Sequence, residues 1–414
     1  MYSDWFNAYR RGVMVARFDK MGNLRASAVE RVTGKSPRFF CILGEVERNQ
    51  MLSTIWRRSV CVKTMLNQIM LDMKYYFSVL LSLVLLVSTS VGLISCGDDE
   101  DDGKSGSSSS YPREVVSFKY GGLKYQTLEY EDGVEVISDY LEKYYGDIVI
   151  PSSVPYGGEM LPVKRIGENA FSYCNGIKSV TIPESVEIID ENAFAYCKGI
   201  TEIVIPNSVR SIYSGAFKDC ANITSIQLGN KLTYIGCEAF MQCDNITSIT
   251  IPDGVTELSF SIFQYCDNLR YVKLPDGLTT IGSEAFSGCK ALATIDIPKS
   301  VKKIEFEAFR SCESLYSVVL PEKLVYVESR LFIYCNKLNN VTLGKNVMSV
   351  ESQVFYQCKN LKTVYCHASN VPTAGYDLFG SVSLSGATLY VPSNSVNKYR
   401  TADQWGKFGK ILGM

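Results

Sequence analysis

From residue 163 to residue 366 the apolar positions of the chain return on a cycle of 23 residues, without a single insertion. Phenylalanine marks each turn of the cycle, at Phe171, Phe194, Phe217, Phe240, Phe263, Phe286, Phe309, Phe332 and Phe355. A cysteine follows three residues after each, from Cys174 to Cys358. The consensus unit reads A-F-x-x-C-x-G/N-I/L-x-x-V/I-x-I/L-P-x-x-V/L-x-x-I/V/L. Self-similarity at such a period signals a solenoid, in which each unit buries its apolar face only against its neighbours.

Within one unit, a stretch such as "ITEIVIP" alternates with period two, which predicts a short parallel strand. Ile203 and Ile205 should point inward, and Glu202 and Val204 outward. Proline at Pro206 and its equivalents lacks an N–H and should end the strand, with Gly229 and Gly344 standing in for it in two units. The "PDG" and "PES" segments then suit a turn with proline at its second position. The residues two after the cysteine (Gly176, Gly199, Asn222, Asn245, Asn268, Asn360) are types that tolerate positive φ, so a turn is expected there. The A-F-x-x-C segment suits a short helical or 3-10 turn that drops the phenylalanine inward. The expectation is a solenoid of nine 23-residue repeats, mostly short parallel strands, over residues 163–366.

Both flanks lose the period. In 111–162, "LKYQTLEYEDGVEVIS" alternates around Asp132-Gly133, a hairpin signal. "GDIVIPSSV" then imitates a repeat strand, so this segment reads as a β-rich N-terminal cap. Residues 367–414 read as a C-terminal cap: a last strand in "ATLYVP", a short helix from near Ser393, and Trp405 and Phe408 over the final rung.

The chain's longest apolar run, "YYFSVLLSLVLLVSTSVGLI" at 75–94, follows Met73-Lys74 and ends in Leu-Ile-Ser-Cys at Cys96. A basic start, an apolar core and small residues before a cleavage point describe a secretory signal over 73–96. The ending resembles the lipobox of bacterial lipoproteins, which implies acylation of Cys96 and a lipid anchor in the membrane. An ordinary transmembrane anchor is the alternative. Residues 1–72 lack periodicity and read as an over-extended, unstructured start, with translation beginning at Met73. "GDDEDDGKSGSSSS" at 97–110 has the composition of a solvated linker. Its acidic run behind the cysteine resembles the export signal of Bacteroidetes surface lipoproteins, which implies an outer-membrane, cell-surface location.

Charge and cysteine content narrow the chemistry. Lys+Arg 42 against Asp+Glu 43 leaves no global basic excess, which speaks against nucleic acid. His367 is the only histidine, and scarcity of the commonest acid-base and ligand side chain lowers the expectation of catalysis. Parallel strands sit about 4.8 Å apart, so the nine periodic cysteines should stack in one column. With in-register Cβ vectors they are expected to stay reduced, as small apolar fillers rather than disulfides or metal ligands. Cys237 and Cys366 lie off that column, and their oxidation state is left open.

The unit F-x-x-C-x-x-L/I-x-x-V/I-x-I/L-P-x-x-V/L-x-x-I resembles the BspA-like leucine-rich repeats of bacterial cell-surface proteins. The resemblance covers residues 73–414 and implies a horseshoe-like leucine-rich-repeat solenoid. It also implies a non-enzymatic cell-surface binding or adhesion protein, in which the concave face engages an extracellular protein. A glycan-binding surface lipoprotein is the alternative. No catalytic residue, cofactor or metal is implied.

Two outward columns should line that face, one from Ser179 to Thr363 and the other from Thr181 to Tyr365. Most positions are Ser or Thr, which is ordinary exposed-strand composition. Tyr271, Lys273 and Asp296 break the pattern on neighbouring rungs, with Tyr316 and Tyr365 as further aromatics. Amphipathic aromatics beside charge are hot-spot material, so these five are the candidate ligand-binding residues.

Overall fold

The computed structural model describes residues 114–139 and 141–414, together with the strand pieces 15–18 and 24–27. Two compact units divide the chain, Met1–Gly103 and Lys104–Met414. In the first, where no structure was expected, Val15–Phe18 pairs antiparallel with Leu24–Ser27. The expected signal segment 73–96, Cys96 and the linker 97–110 lie outside the described residues.

The second unit holds its own continuous apolar core from Leu123 to Ile411. Each turn of the coil passes through three lanes. The strand lane carries three- and four-residue parallel strands, such as Glu202–Val204 on Ser225–Gln227 and Ser248–Thr250 on Tyr271–Lys273. Residue i pairs with residue i+23, as the uninterrupted frame requires. Burial alternates as the sequence predicts, with Ile203 and Ile205 inside and Glu202 and Val204 exposed.

After the strand, the chain turns into a return lane of two-residue strands, such as Ile188–Ile189 on Ser211–Ile212. The turn between them is closed by the proline carbonyl, as Val209 N donates to Pro206 O at 3.2 Å and Val255 N to Pro252 O at 3.0 Å. Proline is therefore the first residue of that turn, not the second. Gly229 and Gly344 accept the equivalent bond from Leu232 and Val347.

The third lane corrects a second expectation. The A-F-x-x-C segment is not helical. Its alternate amides reach across to the next rung, Asn169 N to Glu191 O, Phe171 N to Ala193 O and Tyr173 N to Ala195 O, at 2.7–3.0 Å. The same three bonds recur from every phenylalanine rung, ending with Gln353, Phe355 and Gln357. To aim successive amides along the solenoid axis, the residues two before and two after each phenylalanine take positive φ, as at Asn192 and Tyr196. The turn glycines and asparagines expected to do so do not. Instead a Cβ on Gly199 would stand 2.2 Å from the Ile177 carbonyl, so close approach selects glycine there. The asparagines bond the rung behind, Asn222 Nδ2 to Lys198 O at 2.7 Å and Asn360 Nδ2 to Asn336 O at 2.7 Å.

These bonds set the phenylalanines one above another. From Phe171 to Phe355 the rings stack with centroids 5.0–5.9 Å apart and planes within 15°. The cysteines form the neighbouring column, all free thiols. They do more than fill space. Each Sγ from Cys197 to Cys358 donates to the phenylalanine carbonyl of the preceding rung at 3.0–3.2 Å. Cys174 has no phenylalanine rung before it; Tyr144 packs on Phe171 there instead.

The ladder runs past the boundaries read from the sequence. Tyr145–Val149 of "GDIVIP" is already its first strand, paired with Gly176–Thr181. Leu123–Thr127 and Val134–Ile137 form the expected hairpin, and Val134–Ile137 joins the return lane beside Glu159–Ile166. At the other end Phe379 extends the ring stack at 5.4 Å, although it sits one residue beyond the frame position. Trp405 and Phe408 pack edge-on against it, and the short helix Val396–Thr401 buries Tyr399. A strand not anticipated from the sequence, Lys410–Gly413, adds itself in parallel to Thr388–Val391.

Candidate functional site

The strand face is built from outward residues whose backbones are fixed by ladder pairing. Tyr271 and Lys273 project from one strand, on either side of the buried Val272. Tyr271 is 51% exposed and has Ser248 in register on one side, and among the described residues no aromatic ring stacks on it. Lys273 is exposed and has no carboxylate within 4.0 Å among the described residues.

Asp296 departs from expectation. Residues 292–298 form no strand, and the lane is interrupted between Tyr271–Lys273 and Ser317–Val319. This rung is tied by single bonds on its approach, Ala291 N to Asp267 O and Tyr316 N to Ala293 O, too few to make a ladder. Ile297 stays half-buried where most rungs bury that position, as at Ile251 and Leu320. Asp296 is exposed but makes no ion pair with Lys273. Tyr316 lies just before the next strand, 53% exposed, with Ala293 as its rung neighbour.

Tyr365 belongs elsewhere. It is four rungs from Tyr271, about 19 Å at the spacing of parallel strands. It stacks on Tyr390 with centroids 4.9 Å apart and planes 13° apart. Tyr390 was missed from the sequence, although "TLYVP" repeats the pattern of "TVYCH". Stacked rings cover one another's faces and offer solvent their edges and hydroxyls. Tyr271, Lys273 and Tyr316 are each exposed, with Tyr316 two rungs from Tyr271 across the interrupted rung.

The thiols offer little chemistry. Burial pushes Cys220 up to about 12 and Cys243, Cys289, Cys312 and Cys358 well above the ordinary thiol range. A thiol held un-ionised at neutral pH is a poor nucleophile. Cys366, off the column, lies 3.2 Å from the Tyr399 hydroxyl. Cys237 is half-buried. Among the described residues no three His, Cys, Asp or Glu side chains are placed to hold a metal ion. No helix of those residues is long and apolar enough to cross a membrane.

Residues 164–293 and 279–399 match the BspA type leucine-rich repeat region, in six copies. Among solved structures, a leucine-rich repeat protein from Bacteroides ovatus is similar with a TM-score of 0.52 and 24% identity, covering 72% of this chain and 90% of that one. A leucine-rich cell surface protein from Faecalibacterium prausnitzii is 24% identical with a TM-score of 0.44, covering 73% and 95%. The leucine-rich repeat protein TpLRR of T. pallidum is 27% identical with a TM-score of 0.34, covering 58% and 87%. No curated protein matches the sequence.

Proposed function

This chain belongs to the BspA-type leucine-rich repeat family, and on that premise we propose that it is a non-enzymatic bacterial surface protein that binds an extracellular protein. The strand face is the docking surface, and Tyr271, Lys273 and Tyr316 are its anchors. The observation that carries this reading is Tyr271: an aromatic ring held on a ladder-fixed backbone, half exposed, with an unpaired lysine two residues away. A rigid aromatic beside a cation loses little entropy on docking, which is the profile of an interface hot spot. The Leu-Ile-Ser-Cys ending supports anchorage through an acylated Cys96, and the acidic run behind it supports display on the outer membrane.

A glycan is the second reading, favoured by the half-exposed ring of Tyr271, on which a sugar ring could stack. Arrayed extracellular-matrix proteins and glycans, probed with residues 104–414, separate the two. Saturable protein binding that Tyr271→Ala with Lys273→Ala abolishes supports docking at the strand face. Binding to neutral glycans alone moves the function to the second reading. Undiminished protein binding by the double variant removes this face from the function. Mass spectrometry of the membrane-extracted protein checks the anchor: a first residue other than acylated Cys96 overturns it.

A further inference from the structure

Two three-strand groups of the return lane, Glu257–Leu258 to Lys303–Ile304 and Tyr326–Val327 to Thr373–Ala374, are separated by a break. On either side the rung-to-rung bonds are regular: Lys302 N donates to Thr279 O at 2.9 Å and Met348 N to Val325 O at 2.9 Å. No equivalent bond joins Val325 to Lys302. The break opens a groove of about 500 Å³, lined by Lys302, Lys303, Lys323, Val325, Tyr326 and Glu328.

The charges in this groove are unevenly paired. Lys303 is bonded to Glu305. Lys302 and Lys323 are exposed and have no carboxylate within 4.0 Å among the described residues. Tyr326 is 58% exposed, its register neighbour is Ser349, and among the described residues no aromatic ring stacks on it. The lane has another break, between Tyr234–Ile235 and Glu257–Leu258, and its outward residues Thr233, Thr256 and Glu257 include no lysine. A gap in the lane therefore does not by itself bring basic residues. The whole chain carries a net charge of only −1, so this positive potential is local.

The geometry points to this groove as a binding site for a polyanionic polysaccharide, a sulfated or uronate-bearing chain. Two unpaired ammonium groups take the anionic substituents, and the exposed Tyr326 ring takes the apolar face of a sugar. An acidic peptide fits less well, since it brings no ring-sized apolar face to Tyr326. The site lies on the return lane and does not rest on the reading of Tyr271. One protein would then hold a protein ligand and an anionic glycan at once.

Residues 104–414 form a compact unit with its own core, so this fragment serves for the test. Dextran sulfate is the probe and neutral dextran the control, titrated across salt concentrations. The expected result is saturable, salt-sensitive binding to dextran sulfate only. Lys302→Ala with Lys323→Ala should weaken it at least about tenfold and flatten the salt dependence, because fewer counterions are released. Tyr326→Ala should weaken it by a smaller, salt-independent factor. Lys231→Ala with Lys398→Ala, exposed lysines elsewhere, should leave it unchanged, and circular dichroism should show all variants folded. No binding at low salt overturns the proposal, as does equal loss in the Lys231 and Lys398 pair. Competition by polyglutamate as strong as by dextran sulfate, with no effect of Tyr326→Ala, replaces the polysaccharide with an acidic peptide. The strand-face double variant, unaffected here, keeps this outcome separate from that of the protein-binding screen.

Discussion

The turn lane and the strand lane of the same rungs behave differently. In the turn lane every phenylalanine rung makes the same three inter-rung bonds, and eight thiols repeat one contact. In the strand lane the ladder breaks into pairs and groups, and the rung at Asp296 forms no strand at all. Register is thus held where the sequence is uniform and buried. The outward face varies because it is not what keeps the coil in step.

Alkali should break the turn lane hardest. The thiols are held un-ionised when folded and titrate near pH 8.5 when unfolded. A raised folded pKa gives stability that is complete below the unfolded value and is lost as pH rises above it. Each thiol then subtracts about 1.4 kcal/mol per pH unit, and the eight shared ones together roughly 11 kcal/mol per unit. Residues 104–414 should be insensitive to pH between 6 and 8 and unfold before about pH 11, followed by circular dichroism. Cys266→Ala with Cys289→Ala should make that loss less steep, and a steepness unchanged by the pair would mean these thiols are not its source.

Single substitutions sharpen the contrast. Phe263→Ala, in the middle of the ring stack, should cost about 3–5 kcal/mol in denaturant titration, while Ser248→Ala on the strand face stays within about 0.5 kcal/mol. Equal effects at the two positions would erase the distinction. Tyr271→Ala with Lys273→Ala reverses it: stability holds, while protein-ligand affinity falls by about 2 kcal/mol or more. A smaller effect is expected at Tyr365→Ala, which loses the Tyr390 stack. That should lower stability by about 0.5–1.5 kcal/mol and leave binding at Tyr271 intact.

The 23-residue frame, the inward Ile203 and Ile205 and the buried phenylalanines were legible because burial writes itself directly into residue type. The positive-φ positions were not. Tyr196, Asp219, Gln242 and Arg330 have no common preference for that conformation. They adopt it because their amides must reach the next rung, a demand of the assembled stack that no single unit expresses. Gly199 misled for the converse reason, since glycine there answers to a neighbouring carbonyl rather than to its own φ. In the candidate site, Tyr271 and Lys273 were read correctly as exposed neighbours. Tyr365 was grouped with them by composition, and Tyr390 was overlooked because Phe379 falls one residue out of frame. The broken rung at Asp296 is not announced by its sequence, which is identical in pattern to its neighbours.

Because the turn lane bonds are the same from rung to rung, sliding the chain by one full cycle maps every donor onto an equivalent acceptor. A gene that gained or lost one such cycle by slippage would leave no amide orphaned and no thiol without its carbonyl. Loss of the cycle bearing Tyr271, for instance, would set Ser248 beside Thr294 and leave the interior as it was. Heredity can therefore re-spell the outward face by whole syllables, without passing through an unfolded intermediate ancestor.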